Sequence, residues 1–114
     1  MQSTSVIRAL AALAQEHRLA AFRLLVQTGP QGMAAGAIAE RLGLPASSLS
    51  FHLAQLSHAG LVTSERNGRS IVYFAAYPMM NDLMGYLTEN CCGGTPCMTK
   101  SACPPAGPAT RNTA

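Results

Sequence analysis

Residues 36–74 read "GAIAERLGLPASSLSFHLAQLSHAGLVTSERNGRSIVYF". Two short apolar-periodic segments lie on either side of Gly43-Leu44-Pro45, a tight break. The first, Ala34–Leu42, sets Ile38, Ala39 and Leu42 on one side. The second, Ser47–Ala59, spaces Leu49, Leu53 and Leu56 at i, i+4 and i+7. Both spacings follow one face of a helix. Gly60 stops the second helix, because glycine closes a helix in the left-handed conformation without a Cβ penalty. Two such helices around a glycine-containing turn predict a helix-turn-helix. Beyond Gly60, Val62 and Thr63, then Ile71, Val72, Tyr73 and Phe74, supply β-branched and aromatic residues suited to strands. Asn67-Gly68 between them predicts a two-residue hairpin turn, whose central positions need positive φ. A helix-turn-helix followed by a hairpin is the order of a winged helix.

Working outward, Ser5–Ala14 carries Val6, Ile7, Leu10 and Leu13 at helical spacing. A second helix is predicted over Glu16–Gln27, with Leu19, Phe22, Leu25 and Val26 inward and Gly29-Pro30 as its stop. After the hairpin, Met79–Glu89 presents Leu83, Met84 and Leu87 as its apolar residues. The predicted fold is mainly α with a β-hairpin, a winged helix-turn-helix in the order α-α-α-α-β-β-α. Residues 1–92 form the winged-helix and dimerisation domain, and residues 93–114 a flexible tail rich in Cys, Gly and Pro. The final stretch "PPAGPATRNTA" is expected to be disordered.

A chain of 114 residues holds one domain. Its composition is 48% hydrophobic but only 11% charged, well below the roughly 25% charged of an average soluble domain. A domain of this size buries only a modest core alone, so the excess of apolar residues predicts a homodimer that shares it. No run of about 18 apolar residues is present to span a bilayer. The opening "MQSTSVIRAL" lacks the charged start and long apolar run of a signal peptide, so a cytoplasmic location is expected. Net charge is only +3, and the placement of the cations matters more than their number. Arg66 and Arg69 flank the hairpin turn, where they would clamp DNA phosphates.

On the wheel of Ser47–Ala59, Ser47, Phe51, Ala54 and His58 oppose the leucine stripe, and Ser48, Ser50, His52 and Gln55 lie on its flanks. Short hydroxyl side chains and a glutamine approach a DNA groove closely and hydrogen-bond phosphates and base edges. Phe51 opposite the core is suited to a thymine methyl group. The DNA-contact set read from sequence is therefore Ser47, Ser48, Ser50, Phe51, His52, Gln55, Arg66 and Arg69. The blander alternatives are that the serines cap the helix, that Phe51 packs on a second subunit and that His52 satisfies an internal hydrogen bond. His17 and His58 are read as surface or interface residues without a function.

All four cysteines, Cys91, Cys92, Cys97 and Cys103, fall in "ENCCGGTPCMTKSAC", residues 89–103. In the cytoplasm, clustered thiols are metal ligands or redox groups more often than structural disulfides. Cys91 and Cys92 are adjacent, whereas structural zinc pairs are usually separated by two or more residues. Gly93-Gly94 lets the chain turn sharply and Thr95-Pro96 redirects it, so Cys97 returns toward the pair. Cys103 is the alternative third ligand; the shorter loop to Cys97 costs slightly less closure entropy. A disulfide between Cys92 and Cys97, or Cys97 and Cys103, is the redox reading. No phosphate-cradling loop precedes a cysteine, so no enzyme is expected.

The quoted 36–74 stretch, and the chain from roughly Leu10 to Cys92, resembles the ArsR/SmtB family of metalloregulatory repressors. The resemblance implies a homodimeric winged helix whose first and last helices form the interface, placed on an inverted-repeat DNA operator. Many arsenic-responsive members carry Cys-x-Cys at the start of the recognition helix, but the matching positions here are Ser50 and His52. Zinc and cobalt members often use Asp and His pairs on the last helix, which here offers Asp82 and Glu89 but no His. "NCCGG" is similar to a further subgroup in which adjacent cysteines after the last helix bind trivalent arsenic with a third cysteine. That resemblance implies a repressor responsive to arsenite, As(III), and also antimonite, Sb(III), with Cys91, Cys92 and Cys97 as ligands and no organic cofactor. The alternatives are another thiophilic metal (Cd, Pb, Zn) and a thiol redox switch.

Overall fold

The computed structural model describes residues 1–94. Five helices and three short strands follow in order: α1 (Ser3–Leu13), α2 (Glu16–Thr28), β1 (Met33–Ala34), α3 (Ala35–Leu42), α4 (Ala46–His58), β2 (Val62–Asn67), β3 (Ser70–Ala75) and α5 (Tyr77–Leu87). A 3₁₀ turn over Cys91–Gly94 closes the described chain. The expected winged helix-turn-helix is present. No helix among the described residues is long and apolar enough to cross a membrane.

The helix ends are built by local chemistry. The Gln15 side chain accepts from the His17 and Arg18 amides, both at 2.9 Å, and caps α2. Arg18 Nε donates to the Ala12 carbonyl at 2.6 Å, tying the end of α1 to the start of α2. Between α3 and α4, Gly43 takes φ +68° and the Leu44 amide reaches back to the Ala39 carbonyl at 3.0 Å. α4 ends the same way, with Gly60 at φ +80° and Leu61 N bonded to Leu56 O at 3.0 Å. Both are six-to-one closures that satisfy a last-turn carbonyl and turn the chain.

The core lies where α2, α3 and α4 meet the base of the sheet. Leu25, Ile38, Leu49, Leu53, Leu56 and Leu61 are fully buried, and no polar or charged residue among those described is buried with them. The i, i+4, i+7 leucines of α4 therefore face inward as their spacing predicts.

Four expectations are corrected. First, β1 joins the hairpin, so the sheet has three antiparallel strands in the order β1-β3-β2. Two residues carry no periodicity, which hid this strand. Second, the hairpin turn is displaced by one residue. Asn67 pairs with Ser70, so the loop is Gly68-Arg69, with Gly68 at φ +66°. A glycine at the first central position meets the same twist requirement as Asn-Gly does.

Third, Leu19 on α2, expected inward, is exposed, and the apolar residues of α1 divide between two faces. Val6, Ala9 and Ala12 are buried, while Ile7 and Leu10 are exposed. Small alanines bring α1 close to the body and leave its bulky residues outward. On α2, Ala21 is buried in place of Leu19. Fourth, α5 begins at Tyr77 rather than Met79 and ends at Leu87 rather than Glu89. Pro78 is tolerated in a first turn because its missing N–H has no helical partner there.

Gly32 sets the approach of β1 to β3. It has φ +69°, and a Cβ there would lie 2.6 Å from the Phe74 ring and from the Tyr73 carbonyl oxygen. A Gly32→Ala substitution adds left-handed strain to overpacking, together about 2–4 kcal/mol of lost stability. A urea titration should show a lower midpoint with an unchanged slope. A midpoint equal to that of the wild type would show that the strand can move aside freely.

Candidate nucleic-acid interface

α4 touches β2, so the recognition-type helix and the β2–β3 wing are neighbours. On α4, Ser47, Ser48, Ser50, Phe51, Ala54 and His58 are exposed. Phe51 is 58% exposed, although it is a large aromatic in the middle of a helix. Pro45 precedes the helix, and no side chain caps it. The first amides of α4 have no intrahelical acceptor, so they are donors directed along the helix axis beside Ser47 and Ser48. A helix start with open amides and hydroxyl side chains suits a phosphate oxygen.

The wing carries the cations. Residues 63–70 are all exposed. Arg69 sits in the turn itself, and Arg66 Nη1 donates to the Gly68 carbonyl at 3.4 Å. Both guanidinium groups are thus at the wing tip, where the sequence places them.

His52 and Gln55 differ from the rest of the expected contact set, because both are half-buried. The His52 ring lies 5.6 Å from that of His17 on α2 and 5.8 Å, edge-on, from that of Phe51. Its Nδ1 is shielded from solvent and has no hydrogen-bond partner among the described residues. His52 therefore joins α4 to the start of α2, behind the exposed Phe51. Burial, then the charges of Arg18 and His17, hold its pKa below the ordinary 6.5.

An unfolded His52 takes up its proton as the pH falls through 6.5, whereas the folded one resists until lower pH. Its contribution to stability is fully present above 6.5 and is lost as the pH falls through the folded pKa. Urea midpoints taken at intervals down to about pH 5 should fall more steeply in the wild type than in His52→Gln. Parallel curves would place the histidine's charge in solvent.

The backbone of Cys91-Cys92 follows the C-terminal end of α5, the end away from β3. Thr88 Oγ1 donates to the Met84 carbonyl at 2.8 Å as the helix ends. Asn90 then takes φ +58° and Gly93 φ +67°, so a left-handed residue stands on each side of Cys91-Cys92. The Cys91 amide is held by the Thr88 carbonyl at 2.9 Å, and its side chain is half-buried. Cys97 and Cys103, the expected third ligand and its alternative, lie outside the described residues. Among the described residues there is no group of three or more His, Cys, Asp or Glu side chains arranged to hold a metal ion. Asp82 and Glu89 are both exposed.

Two features were not found by sequence reading. The open amides of α4 depend on Pro45 being the cap residue, since the helix starts at Ala46 rather than Ser47. Tyr77 was missed because the helix it opens was placed two residues later.

Residues 13–65 match a family described as a helix-turn-helix domain. The nodulation protein NolR of Rhizobium meliloti is 34% identical over 80 residues, covering 70% of this chain and 63% of that protein. The chain thus spans less than two thirds of the length of that relative. The crystal structure of NolR from Sinorhizobium fredii is 32% identical over 76% of this chain and 84% of its own, with a TM-score of 0.61. An ArsR-like transcriptional regulator from Rhodococcus sp. RHA1 superposes with a TM-score of 0.66, at 29% identity over 75% of this chain and 77% of its own. A homodimeric winged helix-turn-helix DNA-binding domain from Mycobacterium bovis, described as a possible ArsR-family regulator, gives 0.63 at 29% identity over 75% and 83%. The winged architecture, the matched helix-turn-helix domain and these neighbours together show that the chain is a helix-turn-helix protein of the winged type, similar to transcriptional regulators described as ArsR-like.

Proposed function

We propose that this protein is a dimeric cytoplasmic repressor that binds an inverted-repeat DNA operator and releases it when arsenite is captured by its C-terminal thiols. The observation that carries the reading is the adjacent pair Cys91-Cys92, fixed just beyond α5 between two left-handed residues. The same helix carries exposed Met84, Tyr86 and Leu87, and it touches α1, whose Ile7 and Leu10 are also exposed. Apolar surface of this kind on two neighbouring helices favours burial against a second copy, at about 25 cal/mol per Å². Such a dimer puts the metalloid site on a helix that both subunits share.

DNA is held in this reading by the exposed side of α4 and the wing. Ser47, Ser48 and Ser50 meet phosphates and base edges, Phe51 meets a thymine methyl group, and Arg66 and Arg69 bracket the backbone. His52 and Gln55 support that surface from behind. Two copies place one recognition helix in each half-site.

The donor set suits a soft, three-coordinate centre. Arsenite, As(OH)₃, condenses with three thiols: three As–S bonds form, three As–O bonds break and three waters leave, with no change of oxidation state. Cys91 and Cys92 supply two sulfurs, and Cys97, or Cys103 instead, the third. Antimonite follows the same stoichiometry. Cadmium and lead also accept thiolates, whereas structural zinc usually takes four ligands from more widely spaced cysteines.

The test uses a duplex selected by the protein from a random library, labelled for fluorescence anisotropy. Wild-type protein should bind it as a dimer and release it on titration with arsenite or antimonite. Release by cadmium, lead or zinc alone would assign another metal. Release by peroxide, reversed by a dithiol, would assign a redox switch. Binding that none of these reagents alters would remove the sensing reading and leave the DNA-binding one.

A further inference from the structure

We propose that Tyr77 is the positioning residue that couples the thiol end of α5 to the recognition helix, an inference that rests on the thiol-sensing reading above. Tyr77 opens α5, and its hydroxyl donates to the Val26 carbonyl at 3.2 Å and to the Leu25 carbonyl at 3.5 Å. Those two oxygens belong to the last turn of α2, where a helix leaves four carbonyls without helical donors. Leu25 O also takes the Gly29 amide at 3.4 Å, so the tyrosine joins the capping of α2. Cys91 aside, Tyr77 makes the only side-chain hydrogen bonds among the described residues that join segments more than six residues apart.

The neighbouring contacts make this junction a shared one. The Ala76 amide, one residue before Tyr77, donates to the Leu61 carbonyl at 2.8 Å, in the turn that closes α4. The Met79 methyl packs so closely on Gly60 that a Cβ there would lie 2.8 Å from it. Over four residues, the start of α5 is therefore fastened to the C-terminal ends of both α2 and α4. α2 in turn packs along α4 through the core.

The other end of α5 leads into Asn90 and Cys91. At 1.5 Å per residue, the 11 residues of α5 make a rod of about 16 Å. Binding that reorders one end of a rigid rod moves the other. Apolar packing at the junction tolerates a small slip, whereas a hydroxyl aimed at two carbonyls holds a direction. Tyr77 thus converts a rotation of α5 into a displacement of α2 and, through it, of α4.

Tyr77→Phe keeps the ring and removes only the hydroxyl. Operator affinity is measured by anisotropy on the selected duplex, with and without saturating arsenite, and arsenite binding is followed separately by arsenic–thiolate absorbance. Couplings between sites usually change affinity by roughly 5–150-fold. The variant should bind arsenite and free operator within about twofold of wild type, while its arsenite-induced loss of affinity shrinks at least about threefold. An undiminished loss of affinity would overturn the role of Tyr77 and leave thiol sensing standing. An equal weakening with and without arsenite would also overturn it, by showing a purely structural role. Wild-type protein that neither binds nor answers arsenite would overturn the sensing reading itself, and this inference with it. Because the variant has to fold for these comparisons, amide hydrogen exchange on the wild type provides a second reading. The Gly29 and Leu61 amides should change their exchange rates when arsenite is added, and unchanged rates there with arsenite bound would overturn the coupling.

Discussion

Replacing Arg66 and Arg69 together by alanine should weaken operator binding by about 10³–10⁴-fold at 0.1 M salt and flatten its salt dependence. The argument is electrostatic. Each guanidinium that neutralises a phosphate releases condensed counterions, and the affinity then scales with salt at about −0.9 per contact. In the proposed dimer the two arginines appear twice, so the double variant removes four contacts. The slope of log K against log salt should become shallower by about 3–4. Against a 1 M reference, each contact contributes nearly a decade of affinity at 0.1 M, and four such contacts give the stated loss. Arg66 and Arg69 are exposed, and their only described tie is the long Arg66 bond to Gly68. Their removal should therefore leave the melting temperature nearly unchanged. Phosphates carry no sequence information, so the ranking of duplexes should survive. Anisotropy titrations at four salt concentrations measure both quantities. An unchanged slope would take the wing off the DNA and leave recognition to α4 alone.

Much of the scaffold behind that wing is legible in the chain. Leu49, Leu53 and Leu56 are spaced for one helical face, and only a buried face rewards that spacing. Gly43 and Gly60 announce helix ends because left-handed backbone is expensive for other residues. The wing is visible because β-branched and aromatic residues bracket a glycine turn. The misses share a cause: each depends on what a residue packs against rather than on what it is. Ile7 and Leu10 satisfy the helical period as well as Ala9 and Ala12 do. Only the close approach of α1 to its neighbours decides that the alanines go inside. β1 exists because Gly32 admits the Phe74 ring, a contact between residues 42 positions apart. His52 lies at the edge of the leucine face, and its half-buried place beside His17 follows from the crossing of α4 over α2, which no local pattern encodes.

The functional surface divides along the same line. In the candidate contact set, the exposure of Ser47 and Phe51 was readable because they oppose a core stripe, and that of Ser48 and Ser50 because they lie on its flanks. Their exposure agrees with that reasoning. The tie from Tyr77 to α2 spans about fifty residues and involves a backbone acceptor whose identity is invisible in sequence. The cysteine pair was conspicuous for the opposite reason, since two adjacent thiols after a helix stand out by composition alone.

A Cys91→Ser/Cys92→Ser protein should bind the selected operator as tightly as wild type but keep it in the presence of arsenite, with the release midpoint raised by more than about 100-fold. The expected size follows from the number of bonds. Each As–S bond lost from a three-thiol centre removes a strong covalent contact, and a tenfold change in affinity needs only about 1.4 kcal/mol. Cys97 and Cys103 should still capture arsenite weakly as a pair in the double variant. In the proposed mechanism such capture does not engage the cysteines next to α5. Capture can therefore persist while release is lost, and the two are measured separately: absorbance reports capture and anisotropy reports release. Serine is nearly isosteric with cysteine, and the backbone bond from residue 91 to the Thr88 carbonyl is open to either residue. The fold and the apo affinity should therefore be retained. Cys97→Ser and Cys103→Ser then identify the third ligand, with the larger loss of response expected at Cys97. Monomethylarsenite, which offers only two exchangeable positions, should release the operator even from the protein that lacks that third thiol. Full release of the double variant by arsenite at the wild-type midpoint would place the sensor elsewhere in the dimer.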